Sequence, residues 1–551
     1  MTEDWWKQAV VYQIYPKSFN DTTGNGTGDL QGIIEKLDYL HELGIDVIWL
    51  TPVYESPQRD NGYDISNYYA IDKRYGTMED FERLLTEVHK RDMRLIMDLV
   101  VNHTSTEHEW FKQAASSKEN PFRDFYIWKD AKDGGPPNNW QSKFGGSAWQ
   151  WDERTEQYYL HLFDQTQADL NWENPVLREK VFDMMRFWAE KGIDGFRLDV
   201  INLISKDQSF PDDSDGDGRK FYTDGPKIHE YLHEMNQKVL TPYNLLTVGE
   251  MSSTSLNHCI QYTNPDNEEL NMVFQFHHLK VDYPNGEKWT KADFDFLELK
   301  NILSEWQVGM HNGNGWNALF WCNHDQPRVV SRFGDDRTYW KESAKMLATT
   351  LHMMQGTPYI YQGEEIGMTN PNFDQIDQYR DVESINAYKM LQDKGISAEE
   401  TMAILQQKSR DNARTPMQWD NRQHAGFTDG TPWIDVANNY QIVNVVEQLN
   451  DDESIFYHYK SLIELRKTYG IVVHGDFQLL LRDDPHVFAY VRRYQGETLL
   501  VVSHFYNRET HVSLDIPHER MDILLSNYEG SSTNINNLVL RPYESIIYLM
   551  R

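Results

Sequence analysis

Gly195-Phe-Arg-Leu-Asp-Val-Ile-Asn202 reads as a short buried strand that carries two charges. Phe196, Leu198, Val200 and Ile201 are apolar, while Arg197 and Asp199 stand two apart and share a face. A guanidinium beside a carboxylate favours its ionised form. An anionic carboxylate at the end of a buried strand suits nucleophilic attack. A lone Arg-x-Asp is as readily a structural ion pair, so the reading turns on its neighbours.

Working outward, short apolar runs alternate with amphipathic segments along most of the chain. Strands are expected at Val10–Tyr15, Asp46–Pro52, Arg94–Val101, Gly195–Asn202, Asn244–Met251, Met272–His277, Ala318–Asn323 and Thr357–Gln362. Helix signals follow: Thr77 with Asp80 before Phe81, Leu84, Leu85 and Val88; Pro175 ahead of Val176 and Val181; Ser454 ahead of a final helix. Eight such units predict a (β/α)8 TIM barrel, with its site at the carboxyl ends of the strands. The barrel is expected over 1–103 and 173–473. Two intervals are too long for plain connections. One is an inserted, loop-rich B domain over 104–172; the other is an insertion over 366–452, between the eighth strand and its helix. Over 474–551 the texture changes to short alternating strands, a C-terminal antiparallel β-sandwich domain.

Composition narrows the function. A formal net charge of −32 over 551 residues argues against nucleic acid or an anionic membrane surface as partner. No run of about 18 apolar residues occurs, and Met1-Thr-Glu-Asp-Trp-Trp lacks the marks of a signal peptide. Two cysteines, Cys259 and Cys322, fit a reducing compartment. A cytoplasmic enzyme with a small-molecule substrate is expected; the sequence leaves its oligomeric state open, and a monomer is compatible with it.

Four strand ends carry polar groups: Asp98-Leu-Val-Val-Asn-His103, Arg197 with Asp199, Thr247-Val-Gly-Glu250, and Cys322-Asn-His-Asp325. Two carboxylates flanking one bond are what glycoside hydrolysis needs, one as nucleophile and one as acid and then base. Asp199 suits the first role and Glu250 the second, if a closed site raises its pKa. These blocks resemble the α-amylase family of glycoside hydrolases over essentially the whole chain. Gln167-Ala-Asp-Leu-Asn-Trp172 and Ser409-Arg-Asp-Asn-Ala-Arg-Thr-Pro-Met-Gln-Trp419 are similar to its oligo-1,6-glucosidase group. The resemblance implies retention of configuration, with Asp199 as nucleophile, Glu250 as acid/base and Asp325 as transition-state stabiliser. It implies that Asp60, Tyr63, His103, Arg197, His324 and Arg414 line the glucose subsite, Tyr63 as a stacking platform. Val200 matches the branch acting on α-1,6 or trehalose linkages.

Three further stretches resemble the members that cleave a phosphorylated trehalose to glucose and glucose 6-phosphate: Gly218-Arg-Lys-Phe-Tyr-Thr-Asp-Gly-Pro226, Gly249-Glu-Met-Ser-Ser-Thr-Ser-Leu256 and Phe276-His-His-Leu-Lys-Val-Asp-Tyr-Pro284. The alternative is a neutral-sugar enzyme acting on isomaltose-type ends. A phosphate needs cationic donors, and His277, His278, Lys280 and Lys288 are the candidates. No cofactor is expected for catalysis. A structural Ca²⁺ is an open possibility in Asp21-Thr-Thr-Gly-Asn-Gly-Thr-Gly-Asp29, through Asp21, Asn25, the Thr27 carbonyl and Asp29.

Overall fold

The computed structural model describes residues 4–551. The eight expected strands all form, most of them shorter than their apolar runs: β1 Val11–Ile14, β2 Val47–Leu50, β3 Arg94–Leu99, β4 Gly195–Leu198, β5 Leu246–Glu250, β6 Met272–Phe274, β7 Ala318–Leu319 and β8 Thr357–Tyr361. They make one sheet in the order β6-β5-β4-β3-β2-β1-β8-β7, that of a (β/α)8 barrel. Every residue of β1, β4, β5 and β8 is buried. Strands covered on both faces read as continuous apolar runs rather than alternating ones.

The helix signals carry through. Thr77 and Asp80 form a reciprocal capping box on helix Met78–His89, which buries Phe81, Leu84, Leu85 and Val88. Asn174 caps helix Pro175–Glu190 through the amides of Val176 and Leu177, with Pro175 in the first turn. Ser454 caps Ile455–Thr468.

The chain divides into two compact units. One comprises Trp49–Gln275 and Asp381–Met390 and holds β3 to β6. Within it the interval after β3 is zipped at its base: His103–Ser105 pairs antiparallel with Gln167–Asp169, with His103 opposite Asp169. A small sheet of Trp128–Lys129, Gln157–Leu160 and Trp149–Asp152 lies beyond. Its aromatic core includes Trp140, Trp149, Phe210 and Tyr222.

The other unit comprises residues up to 48, Phe276–Arg380 and Leu391–Arg551, and holds β1, β7 and β8. Its C-terminal sheet runs Gln478–Leu480, Val487–Tyr494, Glu497–His504, Ser545–Met550, Met521–Ser526. Val487, Ala489, Val491, Leu500, Val502, Ile546 and Tyr548 turn one face onto Val512, Leu538 and Leu540. The other face meets helix Trp340–His352, where the Tyr490 hydroxyl donates to the Thr350 carbonyl at 2.8 Å. Lys300, on helix Phe296–Asn312, extends its ammonium to the carbonyls of Leu481, Asp484 and Val487 at 2.8, 2.7 and 3.1 Å. The β region is thereby anchored to barrel helices by buried polar bonds as well as by packing.

Candidate active site

β4 ends at Leu198, four residues before the apolar run does, because the backbone turns sharply. Val200 has φ 37° and ψ 40°, in the left-handed region. A β-branched residue is strained there, and such outliers gather at functional sites. The turn places the Val200 amide 3.1 Å from Glu250 Oε2, at the end of β5, so the amide donates to that carboxyl.

Arg197 is the hub of this half of the site. Its Nη1 donates to Asp98 Oδ1 at 2.7 Å and to Asp199 Oδ1 at 2.6 Å, and its Nη2 lies 2.6 Å from Glu250 Oε2. The shared face expected of Arg197 and Asp199 is therefore present. Asp98 also accepts from the Trp49 indole at 3.1 Å and the Tyr63 hydroxyl at 3.0 Å. Three buried carboxyls thus share one guanidinium. Burial pushes Asp98 up to about 6 and Asp199 up to about 7, outweighing the pull of Arg197 on each. Arg197 favours the Asp199 anion as expected, burial opposes it, and the carboxyls titrate as a cluster. Glu250 hydrogen-bonds Asp199 in a way that favours the Asp199 anion.

His103 faces the same unit's glucose-subsite candidates. Its Nε2–H donates to the Tyr63 carbonyl at 3.0 Å, and its Nδ1 accepts from Asn102 at 3.2 Å. Burial lowers its pKa to about 4, so it is neutral. Gln167 donates to Asp60 Oδ2 at 3.0 Å and to the Tyr63 carbonyl at 3.1 Å. Behind them, Lys206 reaches Asp169 at 3.0 Å and Asn102 Oδ1 at 3.0 Å. Trp49, Asp98, Gln167 and Lys206 carry no assigned role in the sequence reading. Asp98 and Gln167 stand inside motifs it quotes, and that proximity is the signal for them; nothing local marks Lys206.

The other unit assembles His324, Asp325 and Arg414 into one cluster. Gln13 donates to His324 Nδ1 at 2.8 Å, leaving Nε2–H for Asp325 Oδ2 at 3.2 Å. Arg414 Nη2 donates to Asp325 Oδ1 at 2.8 Å, and its Nε to the His324 carbonyl at 2.9 Å. Arg410, also unassigned from sequence, donates to Asp325 Oδ1 at 3.2 Å. Tyr15 stacks on His324 with centroids 5.9 Å apart.

The basic stretch after β6 divides. Lys280 is exposed, Lys288 half-buried with its ammonium 4.7 Å from the Trp289 ring centroid, and His277 packs 4.9 Å from Trp306. His278 is a correction. It is buried, its Nε2–H donates to the Phe320 carbonyl at 2.9 Å, and burial lowers its pKa to about 4. A neutral ring spent on a core carbonyl is no ligand for a phosphate.

The side chains of the Asp21–Asp29 loop hydrogen-bond within the loop and to Thr428. Asp21 accepts from the amides of Thr23, Gly24 and Gly26 and from the hydroxyls of Thr23 and Thr428, all within 2.6–3.0 Å. Five donors fill the roughly four lone-pair sites of a carboxylate. Asp29 accepts from the amides of Thr22 and Gly32, and Asn25 Oδ1 from the Thr27 amide. Three of the four candidate ligands, Asp21, Asn25 and Asp29, thus accept hydrogen bonds from loop donors. Among the described residues, no group of three or more His, Cys, Asp or Glu side chains is arranged to hold an ion.

A barrel with carboxylates gathered at its strand ends is the frame of the α-amylase glycoside hydrolases. The model of the α-amylase catalytic domain matches residues 13–475, and that of the α-amylase SusG C-terminal domain matches residues 487–547. The chain belongs to the α-amylase family. Among its relatives, the trehalose-6-phosphate hydrolase of Bacillus subtilis (strain 168) is 65% identical over 549 residues, covering 99% of this chain and 98% of that one. An oligo-1,6-glucosidase of Halalkalibacterium halodurans is 56% identical over 561 residues, covering 100% and 99%. The crystal structure of Bacillus licheniformis trehalose-6-phosphate hydrolase superposes with a TM-score of 0.96 at 64% identity, covering 99% of this chain and 100% of that one.

Proposed function

We propose that this chain is a retaining α-glycosidase that hydrolyses trehalose 6-phosphate to glucose and glucose 6-phosphate. The observation that carries the chemistry is the Arg197-centred cluster, which gathers the nucleophile candidate Asp199 and the acid/base candidate Glu250 on one guanidinium. The substrate rests on whole-length similarity to hydrolases named for it.

In the first displacement Glu250 gives its proton to the glycosidic oxygen. The bond from that oxygen to the anomeric carbon breaks as an Asp199 oxygen bonds to the carbon. In the second, water attacks that carbon, its proton passes to Glu250, and the ester to Asp199 breaks. Two inversions give net retention. Asp325 and His324 are assigned to hydrogen-bond the sugar hydroxyls, as the family pattern has them. Asp60, Tyr63, His103 and Arg414 are assigned to hold the glucose; Arg197 acts by orienting the carboxyls. Lys280 and Lys288, with His277, are assigned to the phosphate. Among the described residues no helix is long and apolar enough to cross a membrane. Both cysteines are buried thiols outside any disulfide, which supports a reducing, cytoplasmic setting.

The second reading, an oligo-1,6-glucosidase, is favoured by the 56% identical relative of that name. The test is kcat/KM for trehalose 6-phosphate, trehalose and isomaltose side by side, with Asp199→Asn as control. A preference for the phosphorylated sugar that vanishes in the control supports the proposal. A preference for isomaltose overturns it and leaves the double displacement standing.

A further inference from the structure

Asp282 is a buried carboxylate outside the reacting centre, and it sits within the basic stretch after β6. Arg332, on helix Val329–Phe333, donates to it twice, Nε at 2.9 Å and Nη2 at 2.7 Å. Lys408, the last residue of helix Ala398–Lys408, reaches the carboxylate at 2.7 Å and the Asp282 carbonyl at 2.9 Å. All three side chains are almost wholly buried. Arg332 also donates through Nη2 to the Leu279 carbonyl, so two residues of the stretch are gripped by one guanidinium.

The same two cations are tied to the neighbourhood of Asp325. Arg332 Nη1 donates to Gln326 Oε1 at 2.9 Å, one residue beyond Asp325. Two residues beyond Lys408, Arg410 donates to Asp325 Oδ1 at 3.2 Å. Asp282 is thus the node at which two paths from Asp325 converge on the segment that carries Lys280. Lys288 lies near enough for its charge to oppose that of Lys408. One carboxylate against two buried cations leaves the clamp with a surplus positive charge, which favours a dianion nearby.

We infer that Asp282 is a positioning residue for substrate specificity: through Arg332 and Lys408 it fixes the segment bearing Lys280 and Lys288 relative to Asp325. The inference rests on the reading of this chain as an enzyme for a phosphorylated sugar. Misplacing a binding group by about 1 Å costs up to about 100-fold; loosening one end of a loop is a smaller perturbation.

The experiment uses the full chain and its Asp282→Asn and Asp282→Glu variants. KM and kcat are measured for trehalose 6-phosphate and for the neutral p-nitrophenyl α-glucoside, with inhibition by glucose 6-phosphate and thermal midpoints alongside. Asp282→Asn is expected to raise KM for trehalose 6-phosphate, and the inhibition constant of glucose 6-phosphate, about tenfold. Its kcat, and both constants for the neutral glucoside, stay unchanged, and Asp282→Glu recovers part of the loss. If Asp282→Asn fails to fold, Lys408→Met, which keeps the Asp282–Arg332 pair, is read the same way. A wild-type preference for the phosphorylated sugar that survives in the variants overturns the inference, as does equal loss on both substrates. A wild-type enzyme without that preference overturns the underlying reading instead.

Discussion

Asp98→Asn tests the Arg197 cluster directly. The change is isosteric and removes the ionisable group from one of three carboxyls that share a single guanidinium. Asp98 Oδ1 and Asp199 Oδ1 both bond the same Arg197 nitrogen, at 2.7 and 2.6 Å, and so lie within about 5 Å of each other. At that separation and an effective dielectric of about 20, two unit charges repel by about 3 kcal/mol. Deleting one charge then lowers the pKa of the other by at most about 2 units. The Asp98 charge raises that of Asp199 in the intact protein, so the sign is a shift toward acid. The assay is kcat/KM against pH with p-nitrophenyl α-glucoside. A neutral substrate is needed because a sugar phosphate itself titrates near pH 6. The acidic limb is expected to move down by about 1 to 2 pH units. The maximal rate also falls, since Tyr63 and Trp49 lose a charged acceptor. An acidic limb that stays in place would refute the shared-cluster account.

Three further outcomes are expected. Glu364 is fully buried, accepts from the Tyr459 hydroxyl at 2.9 Å, and is pushed up to about 8 by burial. Its folded pKa exceeds the unfolded value of about 4.3, so the stability it contributes is full below that value. It is lost at up to about 1.4 kcal/mol per pH unit as pH rises to about 8. Glu364→Gln should flatten that part of the stability–pH curve in urea unfolding; parallel curves for the two proteins would contradict it. Chelation with EDTA should leave the thermal midpoint unchanged, whereas Asp21→Ala, which strands several loop amides, should destabilise by about 2 kcal/mol. A calcium-dependent rise in the midpoint would overturn the self-filled loop.

The barrel was legible in the sequence because its strands are buried on both faces, so each announces itself as an apolar run. Their ends were not. The run from Gly195 continues to Asn202 in composition, but Val200 leaves the strand for a left-handed turn, and propensity does not encode that. β7 likewise stops at Leu319 while the run extends to Asn323. Arg197 with Asp199 could be paired because they stand two residues apart in the chain. Asp282 with Lys408, 126 residues apart, and Gln13 with His324, 311 apart, pair only through the fold. His278 was misjudged because a histidine in a basic stretch looks the same in sequence whether its ring faces solvent or the Phe320 carbonyl.

The C-terminal sheet bears on the order of events during synthesis. Ser545–Met550 is an inner strand, flanked by Glu497–His504 and Met521–Ser526, yet it is made after both. Until it emerges, those two strands expose bare edges, and Thr349 lacks its contact with Ser545. Barrel residues emerge first and fold first, but the covering of helix Trp340–His352 waits on that late strand. A nascent chain carrying every catalytic candidate therefore still exposes those strand edges until that strand is in place.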